Sequence, residues 1–411
     1  MDLPSRPWIT AASTRAVIAA LEAKGGSGCA RFVGGCVRDT LLGRDGPDLD
    51  IDIATPLGPA EVTAALTAAG LKAVPTGFEH GTVTAVAKGR PFEITTLRRD
   101  VETDGRRAVV AFTADWVQDA ARRDFRLNAL YADPNGRLHD PTGGGVDDAR
   151  AGRIVFVGDP LTRIAEDYLR ILRFFRFYAA YGRGEPDAAG LAACAELRDG
   201  LLGLSGERTA KELLKLLAAP DPRPALAAMQ ETGVLGVLLP GVDSLERLNG
   251  LVEIEGDVAD PVLRLAALLP DDPERALAGM ARLRLANATR DRLLAACSDA
   301  TAVAANMSAQ AARAAVYRLG DAVFADRIQL AWAGAPGPES AAWATLLTLA
   351  ETWTPPRFPL NGGDIKALGV AEGPAVGELR RALESWWIAQ DFAPDREAML
   401  SELRARLERT R

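Results

Sequence analysis

The sequence predicts an α+β protein, in which a small mixed β-sheet with helices fills roughly the first 145 residues and helices alone make up the rest. Two contrasting patterns predict this. Short apolar runs punctuated by Gly, Pro and Asp dominate the first part, whereas Ala/Leu/Arg stretches with apolar residues three and four apart dominate beyond about Gly145. Length is the third observation: 411 residues exceed what one core ordinarily organises, so several packed modules are expected.

Taken in order, strands are expected at Arg31 to Val33, Leu49 to Ile53, Thr82 to Ala87, Phe92 to Leu97 and Leu127 to Tyr131. A helix is expected to follow Gly35. Another is expected near Pro59, because the fixed φ and missing N–H of proline suit a first helical turn. Proline-rich punctuation at Pro220 to Pro224, and again at Pro355, Pro356 and Pro359, divides the helical remainder. The boundaries then read as a head over 1–145, a helical neck over 146–220, a helical body over 221–300 and a helical tail over 301–411.

A net charge of −7 argues against a protein that coats nucleic acid, but leaves room for a local basic groove. Between Arg150 and Arg183, seven arginines face only Asp159, Glu166 and Asp167, a local excess of four positive charges suited to a phosphate-rich partner. The cysteines Cys29, Cys36, Cys194 and Cys297 are scattered, with only His80 and His139 to complement them. That pattern disfavours a structural zinc site and fits a reducing cytoplasm. No basic region precedes an apolar run at the start, and no uncharged stretch reaches membrane-spanning length, so neither secretion nor a membrane partner is expected.

Gly34-Gly35-Cys36-Val37-Arg38-Asp39 joins an expected strand to an expected helix, a setting in which backbone amides and a helix dipole can hold phosphate. Alone, it is equally a tight turn. In Asp48-Leu49-Asp50-Ile51-Asp52-Ile53, acidic and apolar residues alternate with the period of a strand, which puts Asp50 and Asp52 on one face. Repulsion between such carboxylates costs stability unless cations or hydrogen bonds offset it. The pair can share Mg²⁺ ions that activate an attacking hydroxyl and steady a leaving pyrophosphate; a solvated edge strand is the alternative. Glu93, in the run Pro91 to Arg98, offers a third carboxylate or merely marks an exposed strand face.

This succession resembles the class II tRNA nucleotidyltransferases and their bacterial poly(A) polymerase relatives, in the polymerase β superfamily. Arg122-Arg123-Asp124-Phe125-Arg126-Leu127-Asn128-Ala129-Leu130 is similar to their ribose-recognition motif, with Arg126 where Thr is common. Asp148 to Gly152 resembles the short hinge motif between head and neck, Glu166 to Arg170 the nucleotide-selecting motif, and Leu204 to Arg208 the neck-stabilising motif. The resemblance implies template-independent addition of CMP and AMP from CTP and ATP to a tRNA lacking all or part of its CCA end. It assigns Asp50 and Asp52 to Mg²⁺, with Glu93 assisting. Gly34, Gly35 and Arg38 fall to the triphosphate, Arg123, Asp124 and Asn128 to the sugar region, and Asp167 with Arg170 to the base, oriented by Glu166.

Spacing gives that last assignment a chemical sense, because Asp167 and Arg170 are expected to share one face of a helix. Cytosine and adenine each set an exocyclic amine beside an unprotonated ring nitrogen, matching a carboxylate acceptor and a guanidinium donor; guanine and uracil reverse the pattern. The segment Arg99 to Arg107 occupies the place of a mobile loop that the family uses to switch from C to A, which favours complete CCA addition over a CC-adding or A-adding specialist. Thr76 to Thr82 resembles CCA-adding members more than poly(A) polymerases. No histidine follows His139, so an appended phosphohydrolase is not expected, and both histidines read as structural. Phe174-Phe175-Arg176-Phe177-Tyr178 reads as core packing with its arginines turned outward. Arg282, Arg284, Arg290 and Arg292 read equally well as RNA backbone contacts or solvated helix charges. A non-catalytic RNA-binding relative is the remaining alternative.

Overall fold

The computed structural model describes residues 2, 3, 6–47, 49–104, 107–256, 258–298, 302–335 and 337–409, and for residues 100–110 the backbone alone. Asp48, Gly105 and Arg106, which belong to the motifs above, lie outside the described residues. The chain separates into two compact units, one of residues 1–240 with 282–284, the other of 241–281 with 285–411.

The first unit opens with helices α1 (Pro7–Thr10) and α2 (Ala12–Gly25), then β1 (Arg31–Val33), α3 (Gly35–Leu41), β2 (Asp52–Thr55), α4 (Pro59–Ala68), β3 (Lys72–Gly77), β4 (Thr82–Ala87) and β5 (Arg90–Thr96). The hairpin β6 (Arg98–Asp104) and β7 (Arg107–Phe112), helix α5 (Trp116–Ala121) and the short strands β8 (Tyr131–Ala132) and β9 (Leu138–His139) complete the α/β part. Seven strands form one sheet in the order β3-β4-β5-β2-β1-β8-β9, with β2 and β5 parallel and the other neighbours antiparallel. Alternation along the strands buries Phe32, Ile53, Val83, Ala85, Phe92 and Ile94 on the face packed by α2 and α4. Each large side chain buried there contributes about 1.5–3 kcal/mol. The opposite face carries Val33, Ala54, Leu97 and Tyr131 in a second cluster with Ala120 and Val157.

Helices follow without a further strand among the described residues: α6 (Gly145–Ala151), α7 (Pro160–Glu166), α8 (Leu169–Tyr181), α9 (Ala188–Glu196), α10 (Gly206–Leu217), α11 (Arg223–Glu231) and α12 (Val234–Leu238). Phe125 and Phe156 pack with Phe174 and Phe177 of α8, including ring centroids 4.9 Å apart for Phe125–Phe156 and 5.2 Å for Phe125–Phe177. This aromatic core locks the α/β part to α8, as the pattern of Phe174 to Tyr178 predicts. Gly145 is where α6 meets the Arg126 turn; a Cβ there would lie 2.4 Å from the Arg126 carbonyl oxygen.

The second unit is helical, from α13 (Glu246–Ile254) through α14 (Pro261–Leu268), α15 (Pro273–Met280), α16 (Asn287–Ala296), α17 (Ala309–Leu319), α18 (Asp321–Gly334), α19 (Ser340–Thr352), α20 (Gly362–Lys366), α21 (Pro374–Ala389) and α22 (Arg396–Arg409). Asp260, Asp272, Ser308 and Asn361 cap four of these by accepting from backbone N–H groups in the first turn. One core gathers Val316, Phe324, Ile328, Trp343 and Leu346, another Leu360, Ile365, Leu383, Trp387 and Leu403.

Several expectations shift. The acidic strand begins at Asp52, although pairing starts one residue earlier, where Glu93 N–H donates to the Ile51 carbonyl. The strand expected over Leu127 to Tyr131 is a 3₁₀ turn at Arg126–Asn128, followed by β8. There the Asn128 side chain donates to Asp124, a local bond that competes with strand pairing. The Arg99 to Arg107 segment is paired backbone on both sides of its tip, with Arg99 opposite Ala111 and Asp104 opposite Arg107, rather than an irregular loop. β-Branched Val101, Thr103, Val109 and Val110 favour that pairing.

Candidate active site

Asp52 and Glu93 stand opposite each other on the parallel strands β2 and β5, so their side chains share the face that also bears Ala54. Ile51 and Ile53 alternate into the core, leaving Asp50 exposed and Asp52 half-buried on the outward side. The crowding registers in Asp52. Burial, then Glu93 and Asp50, push its carboxyl up to about 6, with Arg123 pulling the other way.

Gly34 turns β1 into α3 with φ +73 and ψ −124, a conformation only glycine adopts without strain. A Cβ there would lie 3.6 Å from Arg123 Nη1, so the guanidinium of Arg123 covers this turn while acting on Asp52. The Gly34-Gly35 turn, the acidic strand and Arg123 thus come together at one end of the sheet.

Arg38 is placed differently from the reading that gave it to the triphosphate. It is buried, donating to Asn128 Oδ1 at 2.5 Å, to Asp39 through two 2.9 Å bonds and to the Tyr181 hydroxyl at 2.6 Å. Asn128 in turn donates to Asp124 at 3.0 Å, and Asp124 accepts from Arg173 Nε at 2.8 Å. Burial opposes ionisation of Asp124, but Arg173 and the Asn128 bond hold its carboxyl below the usual carboxylate range. Asp124, Asn128 and Arg38 therefore form a buried chain joining the turn after α5 to α3 and α8. Arg176 continues it, pairing with Glu212 at 2.6 Å, so Arg173 and Arg176 are not turned outward. The aromatic residues between them pull the helix face inward, and the two arginines are neutralised where they go.

The selecting motif does not lie in one helix. Helix α7 ends at Glu166 and α8 starts at Leu169, with Asp167 extended between them at φ −155 and ψ 104. The Asp167 carboxylate accepts from Leu169 N–H at 3.1 Å and from Arg208 Nη2 at 2.7 Å. Arg170 donates to Glu166 and, at 2.6 Å, to the Arg163 carbonyl. Asp167 and Arg170 stay adjacent because the Asp167 carbonyl accepts the Arg170 N–H at 2.9 Å.

Three site residues escape the motif reading. Arg208 sits in the neck-stabilising motif but acts on Asp167; Arg163 is buried and donates to Glu166 and to the Arg122 and Arg123 carbonyls. Asp119 is buried beneath Arg122 and Arg123, three and four residues on, a helical spacing that the sequence displays.

The chain is similar to known proteins along most of its length. The Poly A polymerase head domain family matches residues 30–155, and the family described as the probable RNA and SrmB-binding site of polymerase A matches residues 186–246. The CCA tRNA nucleotidyltransferase 1, mitochondrial, of Mus musculus is 33% identical over 388 residues, covering 91% of this chain and 86% of its own. The chain belongs to the CCA tRNA nucleotidyltransferase family. The CCA-adding enzyme of Limosilactobacillus fermentum is 33% identical over 90% of this chain and 91% of its own. The crystal structure of the Bacillus stearothermophilus CCA-adding enzyme in complex with CTP superposes with a TM-score of 0.78 at 27% identity, covering 99% of both chains.

Nucleotidyl transfer in this family implies a divalent metal ion, and the residues present fit one. A half-buried carboxyl raised by two neighbouring carboxylates is a site that a cation would relieve. The departure at Arg126 is also accommodated, because that side chain is 39% exposed and reaches only to 3.8 Å from Asp148. Not every arginine of the basic neck segment is open to RNA: Arg153 pairs with Asp148 at 2.8 Å, and Arg163, Arg170, Arg173 and Arg176 are paired as above. Farther on, Arg292 is held by Asp260 at 2.6 Å and Asp326 at 2.8 Å, and Arg282 donates to the Leu202 carbonyl at 2.8 Å. Among the described residues, no helix is long and apolar enough to cross a membrane.

Proposed function

We propose that this chain completes the CCA end of tRNA, adding CMP and AMP from CTP and ATP, with Asp50 and Asp52 holding Mg²⁺ and Glu93 beside them. The observation that carries the reading is the in-register pair Asp52 and Glu93 facing the Gly34 turn and Arg123. Magnesium characteristically takes one or two protein carboxylates and completes its shell with substrate phosphate oxygens and water, which suits a two-carboxylate site. When bound, it supplies Lewis-acid activation of the attacking 3′-hydroxyl and charge stabilisation of the leaving pyrophosphate.

The chain's own residues do the rest. Gly34 and Gly35 let the backbone approach the triphosphate, and Arg123 adds positive charge from above the turn. Asp124, Asn128 and Arg38 hold the turn that frames the sugar region. Asp167 accepts from the exocyclic amine common to C and A, while Arg170 donates to the neighbouring ring nitrogen; Glu166 and Arg208 fix the two in place. We divide the chain functionally into head 1–145, neck 146–220, body 221–300 and tail 301–411, the tail serving tRNA. Its four cysteines are all unpaired and buried, the state that a reducing cytoplasm maintains, and we place the activity there.

The test supplies Mg²⁺ and tRNAs ending before CCA, after C or after CC, with each nucleotide separately and together, to the protein and to its Asp52→Asn variant. Sequenced product ends that stop at CCA, and that disappear in the variant, are the expected result. A continuing A tract assigns poly(A) synthesis instead, a partial end assigns a specialist, and no incorporation assigns an RNA-binding protein.

A further inference from the structure

One buried carboxylate near the site has no part in the reaction described above. Asp119 is 1% exposed. Its Oδ1 accepts from the backbone N–H of Arg98, the first residue of β6, at 3.2 Å and from Arg122 Nε at 2.8 Å. Its Oδ2 accepts from Arg123 Nη2 at 3.1 Å and from the Tyr131 hydroxyl at 2.6 Å. Tyr131 closes a ring by accepting from Arg123 Nε at 3.2 Å. An ionised carboxylate offers about four lone-pair directions, and all are used here.

We propose that Asp119 is a positioning residue for nucleotide binding, which aims Arg123 at the Gly34 turn and thereby sets the affinity for triphosphate irrespective of the base. The inference rests on the reading under Proposed function. Arg123 commits Nε to Tyr131 and Nη2 to Asp119, and Nη1 is the nitrogen nearest Gly34, 3.6 Å from where a Cβ would sit. A guanidinium on a long stem must otherwise be ordered each time a ligand arrives; a fixed anchor moves that cost into the fold. Arg122 and Arg123 are adjacent cations, and without the carboxylate between them they repel. Burial opposes ionisation of Asp119, yet Arg123, Arg122 and the Tyr131 hydroxyl keep its carboxyl below the usual carboxylate range, so the anchor is charged at neutral pH. The same carboxylate holds the first residue of β6, so the base of the hairpin and the aim of Arg123 share one post.

Calorimetric titration of the full chain with CTP and with ATP tests this, because it reads affinity apart from the folded fraction, which appears in the stoichiometry. Asp119→Asn, whose amide N–H₂ opposes a donor, is expected to weaken both nucleotides by about 10- to 100-fold with the CTP/ATP ratio kept. In an Arg123→Lys background the same change is expected to add less than about twofold, since the group it positions is gone. Tyr131→Phe should give a smaller loss of the same kind, again absorbed by Arg123→Lys; it carries the test if Asp119→Asn does not fold. A full loss that persists in the Arg123→Lys background overturns the proposal, as does an unchanged affinity with a lowered stoichiometry. A parent protein that binds CTP and ATP but extends no tRNA would sink the proposed function and leave this positioning role standing.

Discussion

Arg208 donates to the carboxylate of Asp167 at 2.7 Å, across 41 positions of sequence, while Arg170 three residues from Asp167 is held by Glu166 instead. Each half of the pair proposed to read the base thus has its own partner. The two can lie side by side, one as acceptor and one as donor, without neutralising each other.

Arg208→Ala should therefore damage base reading more than chemistry. The pair is partly exposed, 35% for Arg208 and 27% for Asp167, so the loss in kcat/KM for CTP and ATP is expected to be modest, about 3- to 10-fold. Misincorporation of UTP and GTP should rise as Asp167 gains freedom. Steady-state kinetics with all four nucleotides on one tRNA reports this; an equal fall for every nucleotide contradicts it.

Asp52 makes the stability of the metal-free fold depend on pH. Its folded value of about 6 lies above the ordinary carboxylate value, so the native state binds the extra proton and loses stability as pH rises from about 4 towards 6. A divalent cation needs the ionised form. Thermal unfolding with chelator and with Mg²⁺ should show a metal-dependent gain that is small below pH 6 and grows above it. Asp52→Asn should abolish incorporation yet flatten this pH dependence and raise the metal-free melting temperature above pH 6.

Arg126 and Gly145 face each other with opposite tolerance. Arg126→Thr removes an exposed side chain and should leave stability within about 0.5 kcal/mol and activity within about twofold. Gly145→Ala forces a Cβ against the Arg126 carbonyl, 2.4 Å away, and should cost about 1–3 kcal/mol as the α6 contact opens. Urea unfolding of the two variants separates these outcomes.

In the second unit, Arg264 and Glu255 are 2% and 4% exposed and joined by a 2.8 Å bond from Nε. Taking away one partner of such a pair leaves a desolvated charge. Glu255→Ala is expected to cost about 3–5 kcal/mol, whereas Arg290→Ala, at an exposed pair with Asp291, should cost under about 0.5 kcal/mol. Denaturant midpoints of the two variants provide the comparison.

What the residues determine locally is legible in the sequence itself. Alternation turned Ile51 and Ile53 inward and left Asp50 and Asp52 outside the core, Pro59 opened a helix, Thr82–Ala87 formed a strand with those bounds, and the spacing of apolar residues beyond Gly145 announced helices. These follow from side-chain periodicity and backbone chemistry, which act over a few residues. Tertiary structure alone decided partners that are far apart in sequence: Glu93 beside Asp52, Arg208 on Asp167, Arg38 on Asn128 and Tyr181. It also decided that Asp167 lies between two helices, that Arg173 and Arg176 are held in ion pairs with Asp124 and Glu212, and that Arg98–Asp104 pairs with Arg107–Phe112. The reason is physical: a charged side chain's role is set by which opposite charge or donor the folded chain brings within about 3 Å, and neither period nor propensity carries that information.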